Sequence, residues 1–295
     1  MKGRREPAGV PDQRDVLVRS SRPADLVLRY GDGQDQVADV RVPPPGVQGG
    51  AGSRRNALFT IFLHGGFWRK QYDRQHTGPL AEALAAAGFV VCTPEYRRSG
   101  QRGGGWPGTF DDVAAAVDRL PDLVAEATGG LVDAQRLVLA GHSAGGHLAL
   151  WAASRHRLPE GCPWRAPASG FGVVALAAVS DLTACYQLGL GQQAAGALMG
   201  GGPQRFPDRY AVADPARLLP AGVAGVLVHG TADDRVPHGM SSDYVARARE
   251  AGDDRVDCAL LPGAGHFDVI DPLSGAWGAV EAAFRAVHPD GAAGS

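Results

Sequence analysis

The spacing of apolar residues changes character several times along this chain. VADVRV at 37–42 alternates apolar and polar positions, which predicts a half-buried strand stopped by PPPG at 43–46. ALFTIFL at 57–63 is apolar without interruption and predicts a strand covered on both faces. FVVCTPEY at 89–96, RLVLAGHS at 136–143, GVVALAAVSD at 172–181, AGVLVHGTADD at 224–234 and RVDCALLPGAGHF at 255–267 read as further strands, most of them running into a loop. Helical stretches fall between them. HTGPLAEALAAAG at 76–88 ends on Gly88 as its cap, and FDDVAAAVDRLPDLVAEATGG at 110–130 places Asp111 and Asp112 at a positive helix end. Pro121 is expected to kink that second helix. AGGHLALWAASRH at 144–156, HGMSSDYVARAREAG at 238–252 and a last stretch at 273–287 complete the set.

Buried strands alternating with helices predict an α/β fold, a mostly parallel central sheet with helices on both faces. No internal repeat and no linker interrupts residues 25–288, so one domain is expected there. Residues 1–24 are polar and rich in Arg, Asp and Pro, which predicts a poorly ordered leading tail; 289–295 form a short trailing one. A Gly/Ser/Arg loop is expected at 46–56. The stretch 182–223, rich in Gly, Ala and Pro, reads as irregular and as a candidate cap or lid.

Composition narrows the classes. The chain has 295 residues, 44% hydrophobic and 20% charged, which is globular. A net charge of −2 without a basic or acidic block gives no footprint for nucleic acid or an anionic membrane. Cys92, Cys162, Cys185 and Cys258 form no CxxC and no zinc-ligand spacing, so free thiols and no metal are expected. The charged first residues lack the apolar core of a secretory signal, and no run reaches the length of a membrane span. A cytoplasmic protein is the expectation, and a homodimer is compatible with it.

One pentapeptide carries chemistry. GHSAG at 141–145 fits G-x-S-x-G, and its flanks read as strand before and helix after. That strand–turn–helix setting is what a nucleophile elbow requires. Gly141 and Gly145 remove side chains that would clash where helix and strand cross, and the Ala144 amide faces the substrate oxygen from a helix N-terminus. The bland alternative is an ordinary turn with a capping serine.

A serine hydroxyl needs a base, and elbow folds place its partners later, in the order acid and then histidine. Asp233 and Asp234 follow one strand, and His266 follows the next. Asp233, in D-x-x-V-P, is preferred as the acid that orients His266. His142 is read as shaping the elbow, His147 as packing under it, and His229 as a strand-end residue. His76, His156, His238 and His288 read as loop or surface positions. LHGGFW at 63–68 supplies an oxyanion loop through Gly65, Gly66 and Phe67, beside Ala144. Trp68, His142, Trp106, Tyr186 and Phe267 are candidate pocket residues, each equally readable as core.

These motifs resemble the α/β-hydrolase superfamily, and within it the arylformamidase-like (kynurenine formamidase-like) esterases. His64, Gly65, Gly66 and Trp68 match the H-G-G-x-W motif, GHSAGGHL resembles the elbow, YGDGQDQVADVRVP at 30–43 the opening strand, and HFDVIDP at 266–272 the histidine loop. The similarity covers about residues 30–288. It implies hydrolysis of a formyl amide on an arylamine such as N-formylkynurenine, activity on small aryl or short acyl esters, and no cofactor. The cap segment departs from that pattern. The expected partner is a small-molecule ester or amide. The competing readings are a general short-acyl carboxylesterase and, from a different class, a non-catalytic receptor built on the same fold.

Overall fold

The computed structural model describes residues 14–47, 57–167 and 172–287. Its elements in chain order are α1 (Asp15–Val18), β1 (Leu26–Arg29), β2 (Val37–Arg41), β3 (Leu58–Leu63), α2 (Gly78–Ala86), β4 (Phe89–Pro94), α3 (Gly108–Ala127), β5 (Leu137–His142) and α4 (Ala144–Ala153). Then follow β6 (Gly172–Leu176), α5 (Leu182–Gln187), α6 (Leu190–Met199), α7 (Pro207–Ala213), β7 (Gly225–Gly230), α8 (Gly239–Glu250), β8 (Val256–Leu261) and α9 (Trp277–Val287).

The strands form one eight-stranded sheet in the order β1-β2-β4-β3-β5-β6-β7-β8. β2 pairs antiparallel with both β1 and β4, and every other pairing is parallel. This is the α/β-hydrolase fold, as the periodicity and the elbow motif predict.

The uninterrupted apolar runs have a direct cause. Alternate side chains of a strand face opposite sides of the sheet, so a strand covered on both sides is apolar at every position. Phe59, Ile61 and Leu63 enter one core, shared with Phe110, Leu148 and Trp151, while Leu58 and Phe62 enter the other, shared with Leu84 and Phe284. β5 divides in the same way, Leu137 and Leu139 to one side and Val138 and Ala140 to the other. At about 25 cal/mol per Å² of apolar surface removed from water, these two layers supply the main drive to fold.

Two expectations differ from the structure. The polar composition predicts a poorly ordered tail through residue 24, but from Arg14 onward the chain packs against the domain: Val16 is fully buried, and Arg19 forms a bidentate ion pair with Asp271. Residues 1–13 and 288–295, including His288 and the trailing tail, lie outside the described residues, as does most of the 46–56 loop. The 182–223 stretch, expected to be irregular, contains the short helices α5, α6 and α7, with left-handed backbone at Gly191, Gln192 and Gln193 within α6. α3 is the long helix the sequence predicts, with Pro121 in its interior. β1 also went unread, since its four residues alternate between exposed and half-buried positions and bury little.

Candidate active site

Four loops leave the carboxyl ends of β3, β5, β7 and β8, which is where open α/β sheets place their chemistry. They carry the HGG segment, Ser143, Asp233 and His266 in that order.

Ser143 joins β5 directly to α4. Its backbone has φ 56° and ψ −116°, a region that a side chain with a Cβ occupies only under constraint. The constraint is visible. The Ser143 amide donates to Leu176 O at 2.8 Å, its carbonyl accepts from His147 N at 3.1 Å, and the glycines beside it leave no room. A Cβ on Gly145 would lie 2.0 Å from Leu63 O, and one on Gly141 would lie 2.2 Å from Gly145 O. Helix α4 can approach β3 and β5 this closely only because both positions lack side chains.

The acid and histidine loops are stitched together. Ala232 N donates to Ala264 O at 2.9 Å, which brings the chain after β7 against the chain after β8. His266 Nδ1 then meets Asp233 Oδ2 at 2.7 Å. Asp233 Oδ1 accepts the amides of Arg235 and Val236 at 2.8 and 2.9 Å. His229 Nε2 also reaches Asp233 Oδ2, at 3.0 Å. Burial opposes the charge on Asp233, but the hydrogen bonds from His229 and His266 outweigh it and hold the carboxyl far below the usual carboxylate range. Asp234, whose side chain is 72% exposed, turns outward to Arg235 at 3.2 Å. The geometry therefore pairs His266 with Asp233 and not with its neighbour.

The HGG loop is braced from three sides. Tyr96 Oη–H donates to His64 O at 2.7 Å, His64 Nε2 meets Glu95 Oε1 at 2.8 Å, and Trp68 Nε1–H donates to Ala144 O at 3.1 Å. Phe67 and Trp68 both take left-handed conformations, with φ 51° and 54°. Gly65 lies against the elbow; a Cβ there would sit 2.9 Å from His142 Nδ1 and 3.3 Å from Ser143 Cβ. Burial raises Glu95, but His64, Arg98 and the Arg74 amide bring it down to about 2.

A cavity of about 200 Å³ opens over Ser143. Its walls are Arg14, Leu17, Gly66, Phe67, Tyr72, His76, His142, Arg235, His266 and Phe267. Of the candidate pocket residues, His142 and Phe267 are in the wall. Trp68 is not: it is fully buried beneath the elbow, edge-on to His147 at 5.2 Å. Trp106 packs on Trp164 and Phe110, with ring centroids at 4.9 and 5.4 Å, and Tyr186 on Tyr210 at 6.4 Å. These three pack away from the cavity wall. An aromatic residue in a loop carries no sequence signal for which way it points.

Sequence reasoning missed Arg14, Leu17, Tyr72, His76 and Arg235 as wall residues. His76, read as a loop or surface position, is instead brought to the cavity, and burial next to His64 lowers it to about 4. His142 is held well below the usual histidine range, by burial first and by His266 second. As a neutral ring it donates Nε2–H to His266 O at 3.0 Å and so fixes the backbone of the histidine loop. His147, lowered to about 4 by burial, donates Nε2–H to Ala213 O at 2.9 Å and ties α4 to α7. Among the described residues no group of His, Cys, Asp and Glu could hold a metal ion, and no helix is long and apolar enough to cross a membrane.

Comparison with known proteins adds a family to this geometry. Esterase LipQ of Mycobacterium tuberculosis (strain ATCC 25618 / H37Rv) is 26% identical over 256 residues, 82% of this chain and 57% of its own length. Esterase LipC of the same organism is 27% identical over 253 residues, covering 82% of this chain and 59% of its own. The chain thus spans under three fifths of the length of these two relatives. Among solved structures, a truncated carbohydrate esterase from gut microbiota superposes with a TM-score of 0.69 at 18% identity, over 90% of this chain and 98% of that one. A propionate-bound esterase from Thermogutta terrifontis superposes with a TM-score of 0.63 at 21% identity, over 88% of this chain and 92% of its own. These likenesses show the fold. The profile of the BD-FAE family matches residues 50–247, about two thirds of the sequence, and the chain belongs to the BD-FAE family.

Proposed function

We propose that the protein is a serine hydrolase that cleaves small carboxylic esters with short acyl groups. The observation that carries this reading is the Asp233–His266 hydrogen bond at 2.7 Å facing the same cavity as a serine on a strained elbow. His266 takes the proton of Ser143 Oγ as that oxygen attacks the ester carbonyl. The amides of Ala144 and of Gly66 or Phe67 hold the resulting oxyanion. His266 returns the proton to the leaving alkoxide, the C–O bond breaks, and an acyl-serine forms. Water, deprotonated by His266, then releases the acid and restores Ser143.

The relatives named as esterases support a carboxylesterase better than an arylformamidase. The cavity, at about 200 Å³, favours a short acyl group over a large one. The resemblance of the HGG and elbow motifs remains the basis of the formyl-amide reading. Ser143→Ala is expected to abolish turnover of p-nitrophenyl acetate and labelling by a fluorophosphonate while melting temperature is kept. Retained turnover or labelling would exclude Ser143 as the nucleophile, and an unlabelled wild-type protein would point to the receptor reading. Side-by-side kinetics place the substrate: kcat/KM is expected to be far higher for short p-nitrophenyl esters than for N-formylkynurenine, and the reverse order would restore the formamidase.

A further inference from the structure

Behind the acid lies a second histidine that the proposed chemistry does not use. His229, at the end of β7, is fully buried and absent from the cavity wall. Its Nε2 sits 3.0 Å from Asp233 Oδ2 and 3.0 Å from Val236 O. Both neighbours accept hydrogen bonds, so Nε2 carries the hydrogen. Its Nδ1 lies 2.7 Å from Ser241 Oγ, a fully buried hydroxyl on α8. In the tautomer with hydrogen on Nε2, the Ser241 hydroxyl donates to Nδ1.

One oxygen therefore receives two imidazole hydrogens. Asp233 Oδ2 accepts from His266 on the cavity side at 2.7 Å and from His229 on the core side at 3.0 Å. The side chains of Asp233 and His229 are wholly inaccessible, so no water competes for the hydrogen bond between them. We infer that His229 is a positioning residue for the hydrolytic reaction, one that locks the Asp233 carboxylate in its rotamer and shares the oxygen that holds His266. The inference rests on the serine-hydrolase reading above.

Two consequences follow. Rotation of Asp233 would swing His266 away from Ser143, and small misplacements of a base are costly. The shared oxygen also limits how strongly Asp233 can attract a protonated His266. Without the His229 hydrogen, Oδ2 keeps more of its charge for His266, the imidazolium forms more readily, and the acidic limb of the rate profile moves to higher pH. The other titratable and charged groups facing His266 are His142 from β5, His76 and Arg14 across the cavity, Arg235 on the acid loop and Asp268 on its own loop. Substitution at 229 alters none of them.

The test uses His229→Leu, His229→Gln and Ser241→Ala in the full-length protein, with kcat and KM for p-nitrophenyl acetate measured from pH 5 to 9. His229→Leu should lower kcat about 10-fold, leave KM close to wild type, and raise the acidic limb. His229→Gln, which can again present an N–H to Oδ2, should recover most of the rate and return the limb. Ser241→Ala should move both readouts the same way by less, and it carries the test if the leucine variant does not fold. An acidic limb unmoved in His229→Leu and Ser241→Ala would reduce His229 to a structural residue and overturn the inference. Failure of the underlying reading is separate, because it appears as activity retained in Ser143→Ala.

Discussion

At the scale of single residues, the site is a set of backbone conformations held by side chains that never meet substrate. Trp68 shows this best. Its left-handed backbone turns the indole inward, and its Nε1–H on Ala144 O ties the oxyanion loop to the first residue of α4. The two amide donors of the proposed oxyanion site are thus fixed to each other by one side chain. Trp68→Phe should cost about 1 kcal/mol of stability through the lost hydrogen bond. It should lower kcat more than it raises KM. Urea denaturation and steady-state kinetics read the two effects. A raised KM at constant kcat would put Trp68 back in the binding wall. The HGGFW motif was readable because its glycines mark a turn after a strand; the direction of its tryptophan was not, since it depends on a carbonyl 76 residues later.

At the scale of elements, the segment before β1 behaves as part of the site. α1 has only four residues, too few to be stable alone, and it is held by Val16 in the core and by the Arg19–Asp271 pair. That pair is partly exposed and contributes about 1 kcal/mol or less. What the segment brings is Leu17 in the cavity wall. Removing residues 1–24 should open the cavity on that side and flatten the preference for acetate over octanoate among p-nitrophenyl esters. An unchanged acetate-to-octanoate ratio of kcat/KM would show that Leu17 does not limit the acyl group. The polar composition of this stretch hid it, because one buried valine anchors it and a single residue makes no period. The helices of 182–223 were hidden differently. These Gly- and Ala-rich helices lack a broad apolar stripe, yet Leu198, Met199 and Tyr210 bury completely in the core that α4 also enters.

At the scale of the whole molecule, buried ion pairs link stability to pH. Glu95 joins β4 to the HGG loop and has its carboxyl brought down to about 2 by His64, Arg98 and the Arg74 amide against the cost of burial. A carboxyl depressed in the folded state stabilises the protein above its ordinary value of 4.5, and that stabilisation is lost as pH falls from there towards about 2. The loss amounts to about 3 kcal/mol if Glu95 alone is counted. Melting temperature should therefore fall steeply between about pH 4.5 and 2. The Glu95→Gln variant, less stable at neutral pH, should fall less over the same interval. Parallel curves for the two proteins would assign the acid sensitivity to other carboxylates.

The sequence by itself determined the strand–helix alternation, the sheet covered on both faces, the elbow at Ser143 and the order of serine, acid and histidine. All of these are written in local spacing: a strand repeats every two residues, a helix every 3.6, and a sharp turn demands glycine where backbones touch. Tertiary structure turned the preference for Asp233 over Asp234 into a hydrogen bond with His266, and it alone decided that His229 stands behind that acid and that Leu17, Tyr72 and His76 close the cavity while Trp68, Trp106 and Tyr186 do not. Those outcomes depend on where a side chain points after segments far apart in the chain have packed. The Asp233–His266 bond spans 33 residues and the Trp68–Ala144 bond 76, distances over which no periodic pattern carries information.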